Sequence, residues 1–260
     1  MSPYRFAFAL LTLVACGGKI DPNAEPTRTR VVGTTTSSSG GSSGNTSSSG
    51  SSGTGSNGSC YSSALVPFTA DFEDGAIGDG FTVNSPSAFS IEWEEPIDGS
   101  ASLRVKPNAA SFIARKVKSV CAARLQFTLR ASNDFLKGGG NLARIDGGSR
   151  RFTLMLQPGG GLAMHEEIYT TSALGDVVFT SIGDVHPEDP TTITLDVDLA
   201  AQKVTYGFYS AMGAGPSVVV NMIAQETATP PAITSVELGT TPGIASGPQG
   251  LYWLDDIEIQ

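Results

Sequence analysis

From residue 60 onward, apolar and polar side chains alternate with a period of two, and no window of about 11 residues keeps the 3.6-residue period of a helix. In Arg124-Leu125-Gln126-Phe127-Thr128-Leu129-Arg130 one face is wholly apolar and the other wholly polar. That is a strand packed on one side and wet on the other. Ile193-Thr194-Leu195-Asp196-Val197-Asp198-Leu199 repeats the pattern. Gly, Pro, Asn and Asp break the chain between such runs, which predicts further strands over 89–93, 103–106, 152–156, 204–209, 218–223 and 251–259. Strands with one apolar face can bury it only by stacking two sheets or by closing a barrel, and wet outer faces favour two antiparallel sheets face to face. The prediction is an all-β sandwich, with little helix and one domain over 60–260.

Upstream the texture is different. Residues 33–59 consist only of Ser (12), Gly (8), Thr (5) and Asn (2). Such a stretch has nothing to bury and reads, with the polar residues before it, as a disordered tether over 16–59. Its 27-residue Ser/Gly part has an end-to-end distance of roughly 26 to 31 Å as a coil, which would hold a folded head clear of a surface. Residues 1–15 carry Arg5, then the apolar run Phe6 to Val14, then Ala15. A run this short cannot span a bilayer and has the layout of a cleaved export signal.

Leu13-Val14-Ala15-Cys16 resembles the lipobox of bacterial lipoproteins. The resemblance implies cleavage before Cys16 and acylation of that residue, which supplies both a thiol and a new amine. More than one acyl chain makes a lasting anchor. Gly17 rather than Asp at the next position implies, by the same resemblance, an outer-membrane location in the cell envelope. With Cys16 lipidated, Cys60 and Cys121 remain as a pair in an oxidising compartment and are expected to form a disulfide. On the chain-entropy argument that link would contribute on the order of 4 kcal/mol.

Charge is uneven along the chain. Positions 60–103 hold eight acids and no Lys or Arg, 104–151 hold eleven bases and two acids, and 152–260 hold thirteen acids and Lys203. An acidic body argues against a nucleic-acid partner. Within the central block, Arg104, Lys106, Lys116, Lys118, Arg124 and Arg130 alternate with apolar residues on three successive strands. If those strands are neighbours, the bases form a patch for anionic lipid heads or acidic polysaccharide. Otherwise they are solvent-face and edge residues that discourage aggregation.

The segment Val185 to Asp198, a short turn, and Lys203 to Tyr209 resemble the hairpin of concanavalin A-like and laminin G-like jelly rolls. Asp71-Phe72-Glu73-Asp74-Gly75 and Trp253-Leu254-Asp255-Asp256-Ile257 are similar to the two ends of MAM domains and of carbohydrate-binding jelly rolls. The resemblance implies a jelly-roll form of the sandwich, with first and last strands side by side. It also implies that Asp71, Glu73, Asp255 and Asp256 could supply hard oxygens to a structural calcium ion. Sugar or protein binding is the implied role, with Trp93, Tyr169, Tyr206, Tyr209 and Trp253 as candidate platforms.

Catalytic patterns fall short. Glu92 and Glu94 flank Trp93, but Pro96 or Ile97 stands where laminarinase-like hydrolases of this fold carry their last acid. His165-Glu166-Glu167-Ile168-Tyr169 lacks the second histidine of a zinc protease helix, and the glycine triplets at 138–140 and 159–161 lack the Lys of a phosphate loop. The expectation from sequence is therefore a tethered, non-enzymatic envelope lipoprotein whose head binds a glycan or a protein. A polysaccharide hydrolase or lyase of the same fold is the alternative, and a structural or adhesion module the third reading.

Overall fold

The computed structural model describes residues 28–32, 65–78, 80–107, 111–170, 173–211, 213–215, 217–222, 232–240 and 250–260. The expected signal, Cys16, Cys60 and most of the tether lie outside them, as does the side chain of Tyr169. In chain order the strands are β1 (Arg28–Val32), β2 (Phe68–Ala70), β3 (Thr82–Val83), β4 (Phe89–Glu92), β5 (Ser102–Val105) and β6 (Ser111–Val120). Then come β7 (Ala122–Ala131), β8 (Gly140–Asp146), β9 (Arg150–Leu156), β10 (Gly161–Thr170), β11 (Ala173–Asp184) and β12 (Thr191–Asp198). The last are β13 (Lys203–Ser210), β14 (Gly213–Ala214), β15 (Val218–Asn221), β16 (Ile233–Thr240) and β17 (Tyr252–Ile259).

The first sheet runs β1-β11-β10-β9-β8-β16-β6-β3 and the second β14-β13-β12-β7-β17-β5-β4, with β15 on β13 and β2 on β17. The pairings are antiparallel, as the alternation required, and the fold is a two-sheet jelly-roll sandwich. Leu125, Phe127, Leu129, Ile193, Leu195 and Val197 from the second sheet meet Ile145, Phe152, Leu154, Met164, Val236 and Leu238 from the first in one core. Each such side chain taken out of water contributes about 1.5–3 kcal/mol.

The β12–β13 hairpin forms in the expected register, Thr191 opposite Ser210 through Asp198 opposite Lys203. Asp198 turns the corner by accepting from the Ala201 amide at 2.8 Å. The chain ends meet as expected: Phe68–Ala70 pairs with Ile257–Ile259. Among the described residues one α-helix, α1 (Asn133–Gly138), interrupts the strands, its first turn capped by Ser132, whose hydroxyl accepts from the Phe135 amide at 3.3 Å. Two details differ from expectation. The strand from Phe89 stops at Glu92, leaving Trp93 in the turn beyond it, and Arg28–Val32, within the stretch read as tether, pairs along β11.

The first sheet was the less legible one. Its central strand β10 reads Gly-Leu-Ala-Met-His-Glu-Glu-Ile-Tyr-Thr, and Leu162 through Ile168 are all buried. Leu162, Met164 and Ile168 point into the core, and so by alternation does Glu166. Its carboxylate meets Arg150 Nη1 at 2.7 Å, with both side chains buried. A strand buried on both faces loses the polar and apolar alternation by which strands are recognised.

Candidate functional site

On the outer face of the second sheet the polar residues of three adjacent strands line up. Gln126 of β7 lies opposite Thr194 of β12, which lies opposite Gly207 of β13, and Arg124 lies opposite Asp196, which lies opposite Thr205. These residues line a groove with a volume of about 440 Å³, bordered by Tyr209 and Ser217. Tyr209 is 60% exposed, the platform-like aromatic at the groove. Gly207 forms part of the floor: a Cβ there would meet only the Ser217 Cα, at 3.9 Å, so the backbone leaves space that a larger side chain would fill.

The groove is polar but nearly neutral. Arg124 Nε lies 3.6 Å from Asp196 Oδ1, Thr194 Oγ1 is 3.5 Å from Gln126 Oε1, and Thr128 and Thr192 share a hydroxyl contact at 3.1 Å. Burial pushes the Asp196 carboxyl above its ordinary value, and Arg124 pulls against that shift. A floor of hydroxyls and an amide beside an open tyrosine ring is chemistry suited to a hydroxyl-rich ligand.

The expected calcium residues come together at one corner of the same sheet. Asp255 carries a carboxyl raised to about 7, chiefly by burial, with Asp256 and Glu73 adding repulsion. Asp256 is raised by burial and then by Asp98, Asp71 and Glu73. Asp98 is the acid that the sequence reading missed; its amide donates to Asp255 Oδ2 at 3.3 Å. Glu73 is otherwise engaged. It accepts from the Ser100 hydroxyl, from the Ser100 amide at 2.8 Å and from the Ala101 amide at 3.2 Å, bonds that lower its pKa. Gly99, at φ +57°, lets the backbone pass against that carboxylate. Phe72 and Asp256 hold left-handed backbone at φ 59° and 48°.

Among the described residues no three of these acids converge as a ready metal-binding group. The donor set therefore fits calcium only in part, and a cation at this corner would draw its remaining oxygens from backbone carbonyls and water.

Of the candidate aromatics, Tyr206 is corrected: it is 1% exposed and belongs to the core, because it falls in phase with Val204 on β13. Trp253 faces outward but is covered by Arg130, whose guanidinium sits 4.4 Å from the ring centroid and also donates to the Glu95 and Pro96 carbonyls. Trp93 is 53% exposed and stands against Gly75, away from the groove.

The basic patch is corrected too. Successive strands alternate between sheets, so Lys116 and Lys118 on β6 lie in the first sheet and Arg104, Arg124 and Arg130 in the second. The last three are also met by acids, Glu92 at 3.7 Å, Asp196 at 3.6 Å and Glu188 at 3.9 Å, and Lys106 follows the end of β5. Cys121, between β6 and β7, is disulfide-bonded, while its expected partner Cys60 lies outside the described residues.

No protein-family model and no curated protein matches the chain. Solved structures do. "Apo Crh5 transglycosylase" matches at 14% identity and a TM-score of 0.50, over 77% of this chain and 85% of that one. A xylan beta-1,4-xylosidase from Bacillus halodurans C-125 matches at 15% identity and a TM-score of 0.48, and a sialidase at 18% and 0.46. The chain spans only 38% and 18% of those two. The likeness establishes the fold, a jelly roll of the general concanavalin A-like kind. It also corrects the expectation that the chain is not an enzyme. A transglycosylase carries this fold over most of the same length, so the incomplete acid pattern at Glu92 and Glu94 does not exclude catalysis.

Proposed function

We propose that this chain is an envelope lipoprotein whose jelly-roll head processes a polysaccharide, as a hydrolase or lyase, and holds the glycan along the groove of β7, β12 and β13. The observation that carries this reading is the groove itself: open, lined by Gln126, Thr192, Thr194 and Thr205, and flanked by an exposed tyrosine. Sugar rings present hydroxyls at their edges and apolar C–H faces above and below, and the groove offers partners for both. Its near-neutral lining favours a neutral or weakly charged glycan. Anchoring rests on Cys16, and the Ser/Gly tether gives the head its reach. A calcium ion at the Asp98, Asp255 and Asp256 corner would offset the burial and the repulsion that raise the two aspartates, and would tie the chain ends together.

The test is binding of the mature chain to a glycan array, followed by titration against the hits. Tyr209→Ala removes the platform, and Gly207→Val fills the floor without backbone strain. Each is expected to weaken binding at least tenfold, about 1.4 kcal/mol. Equal affinity in both variants, or no hit on the array, overturns the reading.

A further inference from the structure

The groove on the second sheet is not uniform along its length. Thr192 lies opposite Tyr209 of β13 and Thr128 of β7, whereas Asp196, further along β12, lies opposite Thr205 and Arg124. Four residues of strand separate the two rows, about 13 Å. One end of the groove is therefore aromatic and the other charged. At the aromatic end Thr128 and Thr192 already share a hydroxyl contact. At the charged end charge is balanced, but hydrogen bonds remain to be made.

Arg124 Nε stands 3.6 Å from Asp196 Oδ1, close enough for attraction and too far for a good hydrogen bond. Its Nη2 approaches Gln126 Oε1 only to 3.5 Å. Among the described residues the Asp196 carboxylate accepts no hydrogen bond and the Thr205 hydroxyl makes none. The Arg124 and Asp196 side chains are 47% and 39% exposed, and with Thr205 they line the groove. Burial raises the Asp196 carboxyl although Arg124 opposes the shift, a sign that the charged form has lost part of its hydration without gaining protein donors in return. A guanidinium only donates and a carboxylate only accepts. Side by side they complement two adjacent hydroxyls, which accept from the first while they donate to the second. An anionic ligand would instead meet the like charge of Asp196, and a cationic one that of Arg124.

We infer that Arg124 and Asp196, with Thr205 beside them, bind a pair of adjacent free hydroxyls on a neutral sugar ring, while Tyr209 stacks on another ring of the same chain. The groove then selects glycans by linkage. In a 1,4-linked pyranose chain the hydroxyls on C2 and C3 of each internal ring are both free. In a 1,3-linked chain the linkage occupies C3, and no two neighbouring ring positions keep their hydroxyls. This deepens the polysaccharide reading above and rests on it.

The experiment measures binding of the full mature chain to linear xylan, to a β-1,4-mannan and to a linear β-1,3-glucan of similar length. At least one of the two 1,4-linked polymers should bind about tenfold or more tighter than the 1,3-linked one, because a site built for hydroxyls rejects a chain that leaves its own groups unpaired. Asp196→Ala and Arg124→Ala should each erase that preference, with binding to the 1,3-linked glucan kept within about twofold. Tyr209→Ala should weaken binding to all three alike. An exposed ion pair adds little to stability, and a melting curve of each variant checks the fold. Polygalacturonate, which keeps the C2 and C3 hydroxyls and adds a carboxylate to each ring, should bind more weakly than xylan. Equal binding across linkages, a preference that survives in both folded variants, or tighter binding of polygalacturonate overturns the assignment, while weakening by Tyr209→Ala still upholds the groove. Binding to none of the four polymers counts against both.

Discussion

The two outer faces of this sandwich have the same geometry and opposite character. On the second sheet, outward residues are hydroxyls, an amide and an ion pair that satisfy one another in an open groove. On the first, the outward Arg144, Thr153 and His165 are buried, and Thr153 Oγ1 and His165 Nε2 have no hydrogen-bond partner. An outward position on a strand is thus not the same as a solvated one. A groove with satisfied partners can exchange ligands at little cost, whereas buried unpaired groups are retained against a penalty.

The largest expected effect tests whether charge in the first sheet is structural. Glu166→Ala would leave Arg150 buried without that carboxylate and should cost about 3–5 kcal/mol in urea unfolding. A loss under about 1 kcal/mol would mean that this core pair contributes no more than an exposed one.

Protons should separate the two regions next. Asp255, raised to about 7, binds its proton more tightly in the folded chain. Its contribution is complete below the ordinary aspartate value and is lost as pH rises through about 7. His165, lowered to about 4 by burial, works the other way: its contribution is present above the ordinary histidine value and is lost as pH falls through about 4. Melting curves of Asp255→Asn should therefore gain on the wild type from pH 5 to 8, and those of His165→Gln should gain from pH 6.5 down to 4. Shifts on the order of 5 °C are expected. Added calcium should raise the wild-type Tm more at pH 8 than at pH 5, and an unchanged Tm with excess chelator removes the calcium proposal.

Smaller effects sharpen the contrast. Thr128→Val, which breaks a satisfied pair with Thr192, should cost about 1 kcal/mol, while Thr153→Val, which removes an unpaired hydroxyl, should be neutral or stabilising by about as much in the absence of ligand. Smallest of all, Arg124→Ala in the groove should cost less than about 1 kcal/mol, since its ion pair is half-exposed and screened.

The second sheet was legible because water marks it. Thr192, Thr194, Asp196 and Asp198 alternate with Thr191, Ile193, Leu195 and Val197, and the buried and part-exposed positions follow the same beat. Tyr209 could be named as a candidate for the same reason, and Tyr206 failed because an aromatic ring fits a core and a surface equally well. The first sheet hid itself. His165, Glu166 and Glu167 stand in a row with no polar and apolar rhythm, although Glu166 enters the core while its neighbours face out. Asp98 escaped notice because it lies 157 positions from Asp255, in a loop with no pattern.

Sequence alone determined the strand-built class, the antiparallel hairpin at 191–210 and the meeting of the two chain ends. The first follows from local periodicity, whereas the hairpin and the meeting of the ends are what the resemblance to jelly-roll domains implied. Only the tertiary structure decided which strands became neighbours. That choice divided the bases of 104–130 between two sheets, assembled Arg124, Asp196 and Tyr209 into one groove, and set Glu237 opposite Arg144 across β16 and β8. Pairing across a sheet is set by how whole faces pack, and a linear pattern carries the phase of each strand without the identity of its partner.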